Sequence, residues 1–310
     1  MPRSILALVI ASFACIQSAA HAQGSTFIEY AHSGPFFGGL PVIVTDPVAP
    51  VSGSFASFGG TSELQASAEF GRLRVLANEH VPPSVSRLGD NWSGLYVRSS
   101  WSDAITLSND ALTGQLGHVT VALNYTWSLS LTDPSPVGSQ AQSDIKLMAT
   151  SGGLLYFSEI GDALTPDCPS GVCAITRNAV LVNSSGRTPV TPGPGSLQLE
   201  FAFIFGVPFD LTATLTSYAY AYGSLTASGD AAADSSHTAL WGGILSVQDD
   251  YGAAVPYSAV SSSGFDYTTA VPEVDTAALL LIGLVGLGVV HRRPGQCIAS
   301  PLTYGSPSAA

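Results

Sequence analysis

Residues 119–131 restrict the fold of this chain more than any other segment, because apolar and small polar residues alternate there without a break. The apolar or aromatic positions are Val119, Val121, Leu123, Tyr125, Trp127, Leu129 and Leu131. Successive side chains of a β-strand point to opposite faces, so this period of two predicts a strand with one buried and one solvated face. The turn-forming residues Asp-Pro-Ser-Pro at 133–136 end the pattern.

The same alternation recurs at 197–205 and at 211–222, where Tyr218, Tyr220 and Tyr222 share one face. Residues 64–77 also alternate but change phase at Gly71, which predicts a bulge or bend. No helical period occurs between residues 23 and 270. Short strands punctuated by turn residues predict an all-β fold, an antiparallel, jelly-roll-like β-sandwich over 23–270. The stretch 180–196, rich in Pro, Gly and Ser, is predicted to be a long loop within this domain.

The charge balance of the chain is acidic. It has 10 Lys and Arg against 22 Asp and Glu, for a formal net charge of −12. We therefore expect no nucleic-acid partner, because the sequence has no cluster of basic residues to contact phosphates.

The first 22 residues have the layout of a secretory signal peptide. Arg3 precedes an apolar stretch, and Ala20-His-Ala22 forms a cleavage site before Gln23. We therefore expect the export translocon and signal peptidase to act on the chain. A first transmembrane helix is the alternative, but the apolar stretch is too short for one.

Two cysteines of the mature chain lie close together, Cys168 and Cys173, separated by Pro-Ser-Gly-Val. In an oxidising compartment this spacing predicts a local disulfide, with free thiols as the alternative. A loop of this size would stabilise the fold by about 2 kcal/mol on the chain-entropy model.

Residues 271–293, Val-Pro-Glu followed by an apolar run and two arginines, predict a short C-terminal membrane helix. The run is rich in Leu and Gly, which suits a membrane helix, and Arg292 and Arg293 can extend their side chains to the lipid interface. The alternative is a buried helix of a soluble protein. The Pro-, Gly- and Ser-containing tail 294–310 is predicted to be disordered.

This layout resembles the PEP-CTERM sorting signal of Gram-negative bacteria that produce exopolysaccharide. After Val271, Pro272 and Glu273 match the first two residues of the motif, and Arg292 and Arg293 match its basic stop, whereas Val274 stands where the family usually has proline. The resemblance implies a membrane exosortase as the processing partner. It also implies an inner-membrane anchor, transient or stable, before delivery to the envelope or the extracellular matrix, with extracellular polysaccharide as a further partner.

The end of the predicted domain resembles the same family. The matching positions are Asp234, Thr238, Ala239, Leu240, Val247, Asp249, Gly252, Ser261, Ser263, Gly264 and Tyr267. This part of the resemblance is diffuse, and it implies a shared fold more than a shared activity.

The sequence shows no catalytic motif, and we predict no enzyme activity, cofactor or metal site. Asp249-Asp-Tyr-Gly252 lacks the spacing of a calcium loop and predicts a hairpin turn. Trp127 is in phase with the buried face of its strand and is predicted to pack in the core. Trp92, in a turn-like setting, is the candidate ligand contact.

Three function classes follow. The first is a non-enzymatic envelope or matrix protein, and the second is a secreted carbohydrate-binding or adhesin module. The third, a secreted hydrolase, is the most distant, because the sequence carries no catalytic motif. It stays open because a catalytic triad is defined by geometry and not by sequence order.

Overall fold

The computed structural model describes residues 24–34, 37–38, 40–47, 49–57, 60–83, 91–132, 138–167, 174–183, 186–224 and 227–271. These residues all belong to the first of two units, Met1–Val271 and Pro272–Ala310. The described residues contain no helix, and the predicted all-β fold is confirmed.

The strands are, in chain order, β1 (Ser25–Gly34), β2 (Phe37–Gly38), β3 (Val42–Thr45), β4 (Val51–Ser57), β5 (Gly60–Glu69), β6 (Arg72–Val81), β7 (Asn91–Ser108), β8 (Leu116–Tyr125), β9 (Ser128–Leu131), β10 (Gln140–Ser151), β11 (Leu154–Asp167), β12 (Ala174–Asn183), β13 (Gly186–Pro189), β14 (Gly195–Ile204), β15 (Phe209–Gly223), β16 (Gly229–Asp249) and β17 (Ser258–Ser261).

These strands form two antiparallel sheets. The ten-stranded sheet has the order β13-β12-β11-β10-β15-β7-β1-β2, with β17 paired to β7 and β3 paired to β1. The seven-stranded sheet has the order β14-β8-β16-β6-β5-β4, with β9 paired to β16. Strand β6 packs on β7 and β15, and β14 packs on β10 and β11, so the two sheets face each other.

The core lies between the sheets and takes alternate residues from both, as period-two patterning requires. Trp101 of β7 and Trp241 of β16 are completely buried and their rings meet edge to face. Trp127 is buried as predicted. Because one face of each strand is used in this way, the opposite face of the ten-stranded sheet carries the hydroxyl-bearing and aromatic residues of β15.

The segment 119–131 has the predicted alternation of faces but forms two strands. Strand β8 ends at Tyr125 and β9 begins at Ser128, and both pair with β16. Between those two pairings β16 shifts its register against β6, after Ser235. The break in the predicted strand therefore coincides with an irregularity in its neighbour.

Two other predictions are corrected by the structure. The phase change at Gly71 is the turn of the β5–β6 hairpin, with Gly71 at a φ of 76°, and not a bulge within one strand. The stretch 180–196 is not one long loop, because β12 and β13 pair as a hairpin within it. The turn predicted at 249–252 is confirmed: the Asp249 carboxylate accepts from the amides of Tyr251 and Ala253.

Candidate functional site

Of the residues predicted for sorting, signal cleavage, the disulfide and ligand contact, two lie within the described ranges, Trp92 on β7 and Val271 at the end of the last range. The others lie outside the described residues: Ala20, Ala22, Gln23, Cys168, Cys173, Pro272, Glu273, Arg292 and Arg293. In the part of the chain that the structure describes, no helix is long and apolar enough to cross a bilayer. No group of potential metal ligands occurs among the same residues.

Trp92 belongs to an aromatic patch, formed with Tyr218 and Tyr220, on the outer face of the ten-stranded sheet. The Trp92 and Tyr220 ring centroids are 5.4 Å apart with planes inclined by 28°, and the Tyr220 and Tyr218 centroids are 6.4 Å apart at 18°. Gly94 pairs with Tyr220, and a Cβ at Gly94 would lie 3.1 Å from the Tyr220 ring. Because Gly94 has no side chain, the Tyr220 ring can pack against the β7 backbone at this position.

A row of polar side chains on β10 borders the aromatic patch. Gln140 pairs with Tyr220 and Gln142 with Tyr218. The Gln140 amide donates to the Gln142 carbonyl oxygen (2.8 Å), and the Gln142 amide donates to the Asp144 carboxylate (2.6 Å). Burial raises the pKa of Asp144 to about 7, and the charges of neighbouring carboxylates act in the same direction. Aromatic rings beside amide groups can contact the apolar and hydroxyl surfaces of a sugar.

A second polar group, which we call the buried cluster, lies between the sheets and consists of His32, Ser62, Glu79 and Ser93. The Ser62 hydroxyl donates to Glu79 Oε2 (2.7 Å), and His32 Nε2 lies 2.9 Å from Ser93 Oγ. Burial raises the pKa of Glu79 to about 7, against the hydrogen bonds from Ser62 and Ser93, and burial lowers the pKa of His32. Both groups therefore favour their neutral forms. The 4.0 Å approach of Glu79 Oε1 to His32 Nε2 is then not an ion pair.

The buried cluster contains a serine, a histidine and a carboxylate, so it bears on the hydrolase alternative. In a catalytic triad the carboxylate and the nucleophile contact opposite ring nitrogens of the histidine. Here Ser93 and Glu79 both approach Nε2, and Glu79 accepts its hydrogen bond from Ser62. Ser93 is only 2% exposed. This arrangement is that of an internal hydrogen-bond network rather than a catalytic centre.

The end of the domain is bonded firmly into the sandwich. The Asp103 carboxylate of β7 accepts hydrogen bonds from the Ser262 hydroxyl (2.5 Å), from the Ser263 amide (3.1 Å) and from the Ser263 hydroxyl. The Ser261 hydroxyl donates to the carbonyl of Phe265 (2.8 Å). These contacts hold the segment 258–265 against β7, to which β17 pairs directly.

The residues that follow complete this attachment. Tyr267 is 1% exposed, its ring meets Trp241 edge to face at 5.2 Å, and its carbonyl accepts from the Trp241 indole N–H (2.9 Å). The amide of Val271 donates to the carbonyl of Trp241 (2.9 Å). Several positions of the resemblance described above thus have structural roles, and the domain is bonded to its core up to the residue before Pro272.

Sequence reasoning missed most of the residues brought together here. The shared face of Tyr218 and Tyr220 was readable from their spacing, but their contact with Trp92 depends on the pairing of β7 with β15. The four residues of the buried cluster come from four strands, and no local signal connects them. Comparison of the chain with protein-family models, with curated proteins and with solved structures finds no match.

Proposed function

We propose that this chain is an exported, non-enzymatic β-sandwich protein of the cell envelope or extracellular matrix, sorted by its C-terminal segment. The observation that carries the proposal is the attachment of residues 258–271, because the folded domain continues to the residue immediately before Pro272-Glu273. A folded domain that ends at Val271 and is followed by Pro-Glu, an apolar run and two arginines suits a protein that is displayed after its tail has been processed.

We further propose that the two sheets have a jelly-roll-like connection, that residues 1–22 are a signal peptide, that Cys168 and Cys173 form a disulfide, and that a membrane helix precedes Arg292 and Arg293. The partners proposed are the export translocon, signal peptidase and an exosortase-type enzyme. The inner membrane holds the chain, transiently or stably, before it reaches the envelope or the extracellular matrix.

Replacement of Pro272 and Glu273 together by alanine tests the sorting role. In the native bacterium we expect the double variant to remain membrane-bound at full length, while the unaltered chain is processed. Asp275→Ala with Thr276→Ala, three residues further along, is the matched control and should be processed normally. Fractionation and immunoblotting measure the outcome, and normal processing of the Pro272/Glu273 variant would reject the role.

A carbohydrate-binding or adhesin module is the second candidate, and the aromatic patch beside the amide row favours it. If this face binds sugar, Trp92→Ala should weaken binding to a glycan array by about 1–3 kcal/mol, the range for loss of a stacking or packing contact of this size. Tyr251→Ala is the control, because Tyr251 is 93% exposed in a turn and outside the patch. Equal binding by wild type and Trp92→Ala, or no binding by either, counts against this candidate.

A further inference from the structure

The terminal strand of the seven-stranded sheet, β14, leaves one edge of that sheet open. It pairs with β8 on one side, and no strand among the described residues pairs with it on the other. The Phe205 amide donates to the carbonyl of Gln115 (3.0 Å), which sets the phase of the β14–β8 ladder. In an antiparallel pair alternate residues bond the neighbouring strand, and the amides and carbonyls of the others point away from it. The residues of β14 that point to the open edge are Ser196, Gln198, Glu200, Ala202 and Ile204.

This edge has few of the features that usually prevent a further strand from pairing. Natural edge strands are often very short, bulged, or interrupted by Pro or Lys. The register of β14 against β8 is continuous from Gly195 to Ile204, and the only charged residue among its ten is Glu200. The end strands of the larger sheet are short by contrast: β13 has four residues and ends at Pro189, and β2 has two. The β14 edge is therefore able to bond another strand.

The two sheets end together beside residues 200–204. The Phe201 ring of β14 lies 5.9 Å from the Tyr156 ring of β11, so this part of β14 lies over the start of β11. Strand β12 pairs with β11 only from Ser158 onward, so within the described ranges residues 154–157 have no neighbour on that side either. A second folded body can therefore approach both sheets at this level.

The first half of β14 is less accessible. Leu181 of β12 and Val190 line a cavity together with the β14 residues Ser196, Leu197 and Gln198. Strand β12 and the segment that follows β13 therefore lie beside this half of the edge. A partner strand is confined to the second half of β14, from residue 200 to residue 204.

Exposed apolar side chains lie around the accessible half of the edge. Ile204 ends β14 and Val207 lies in the turn that follows, and both are exposed. Leu154 and Leu155, at the start of β11, are also exposed. Apolar side chains that are exposed together on one part of a surface mark interaction sites more often than single ones do. The open backbone groups and the apolar side chains therefore indicate one contact surface.

We propose that this surface binds a second copy of the chain, with the two β14 strands antiparallel and related by a two-fold axis at Ala202. Glu200 of each copy then lies opposite Ile204 of the other, and the two Ala202 residues lie opposite each other. The two seven-stranded sheets become one continuous sheet. This contact does not depend on the proposed sorting or on the aromatic patch.

The side chains of β14 favour its own copy as the partner. An isologous contact needs a strand that complements itself, and the axis at Ala202 places the small alanine side chains beside each other. At about 3.3 Å per residue the two Glu200 carboxylates are then about 13 Å apart along the strands, which exceeds the Debye length of about 10 Å at 0.1 M salt. An axis at Glu200 would instead place like charges directly opposite. The same register covers the exposed Ile204 side chain of each copy with the strand of the other.

Sedimentation velocity of the full chain in a mild detergent tests this inference. We expect a dimer that dissociates on dilution. Ala202→Pro removes an amide that points away from β8, so it should leave the unfolding temperature unchanged and weaken the dimer by about tenfold or more. Ala202→Lys keeps the backbone and places two like charges at the axis, and it should weaken the dimer similarly. Thr61→Lys is the matched control, because Thr61 is exposed on β5, an inner strand of the same sheet, and should leave the dimer unchanged.

Amide hydrogen exchange locates the contact. Peptides that cover residues 200–204 should exchange more slowly at high protein concentration than at low concentration, because the outward amides of β14 become bonded only in the dimer. Peptides from β4, the strand at the opposite edge of the same sheet, should exchange equally at both concentrations.

Three results would overturn the assignment. A chain that stays monomeric at the highest concentration rejects it. A dimer that is as tight in the folded Ala202→Lys variant as in wild type rejects it as well, and this includes association through the C-terminal segment, which all the variants share. Concentration-dependent protection in β4 and not in β14 would place the contact at the wrong edge.

Discussion

Glu79 is an acidic residue in the sandwich core, and replacing it with glutamine should change how the stability of the protein depends on pH. Its side chain is fully buried between the sheets, where it accepts a hydrogen bond from Ser62 and approaches the neutral ring of His32. Burial raises the pKa of Glu79 from 4.5 to about 7. Glutamine has the shape of the protonated acid and retains an acceptor for the Ser62 hydroxyl, but it does not ionise.

The sign of the effect follows from proton linkage. As the pH rises, the unfolded chain loses the Glu79 proton near 4.5, whereas the folded chain keeps it until about 7. The contribution of Glu79 to folding is therefore fully present below pH 4.5 and is lost between pH 4.5 and about 7. At about 1.36 kcal/mol for each pH unit, the loss is about 3 kcal/mol. Glu79→Gln should match wild type at pH 4 and be about 3 kcal/mol more stable at pH 8.

Urea unfolding followed by tryptophan fluorescence at pH 4, 6 and 8 measures this difference. Asp144, whose pKa is also raised to about 7, is present in both proteins and cancels in the comparison. Glu63→Gln is the control, since Glu63 is exposed on the neighbouring strand and its replacement should change stability by less than about 0.5 kcal/mol at every pH. A difference between Glu79→Gln and wild type that does not vary with pH would refute the reasoning.

Three further substitutions test other contacts. Asp162→Ala should lower the free energy of unfolding, measured in urea, by about 2–4 kcal/mol, because it removes a completely buried carboxylate bonded to Arg177 and Trp127. A decrease of less than about 1 kcal/mol would contradict a structural role for the ion pair. Asp103→Ala should speed amide hydrogen exchange in residues 258–271 by tenfold or more, while exchange in β8 stays slow; unchanged exchange in 258–271 means that the segment is held by other contacts. Gly71→Ala should cost about 1–3 kcal/mol in a thermal melt, because a Cβ there would overlap the Phe265 ring and φ is 76°. At Gly114 φ is also positive but a Cβ would have no neighbour, so Gly114→Ala should destabilise the protein less than Gly71→Ala. Equal losses of stability at the two positions would contradict a clash between the new Cβ and Phe265.

The faces of the strands could be predicted from the sequence, but their pairing could not. The alternation from Val119 to Leu131 identifies which side chains are buried, because the period of two reports the face directly. It does not reveal that the strand ends at Tyr125. That end accompanies a shift in the register of β16 against β6, more than 100 residues away in the sequence. The β12–β13 hairpin was missed because the stretch 180–196 is rich in Pro, Gly and Ser, yet backbone groups pair across the hairpin within it.

The candidate sites differ in how far the sequence could reveal them. Trp92 was singled out because its setting predicted a turn, which is wrong, since Trp92 lies within strand β7. The shared face of Tyr218 and Tyr220 could be predicted from their spacing, whereas their contact with Trp92 requires the register of β7 with β15.

The mass of the mature protein recovered from its native host tests the central claim most directly. If the chain is exported and its tail is processed next to the attached segment, intact mass spectrometry should find a species that begins at Gln23 and ends near residue 272. Recovery of the whole chain from Met1 to Ala310 in the cytosolic fraction would contradict both export and sorting.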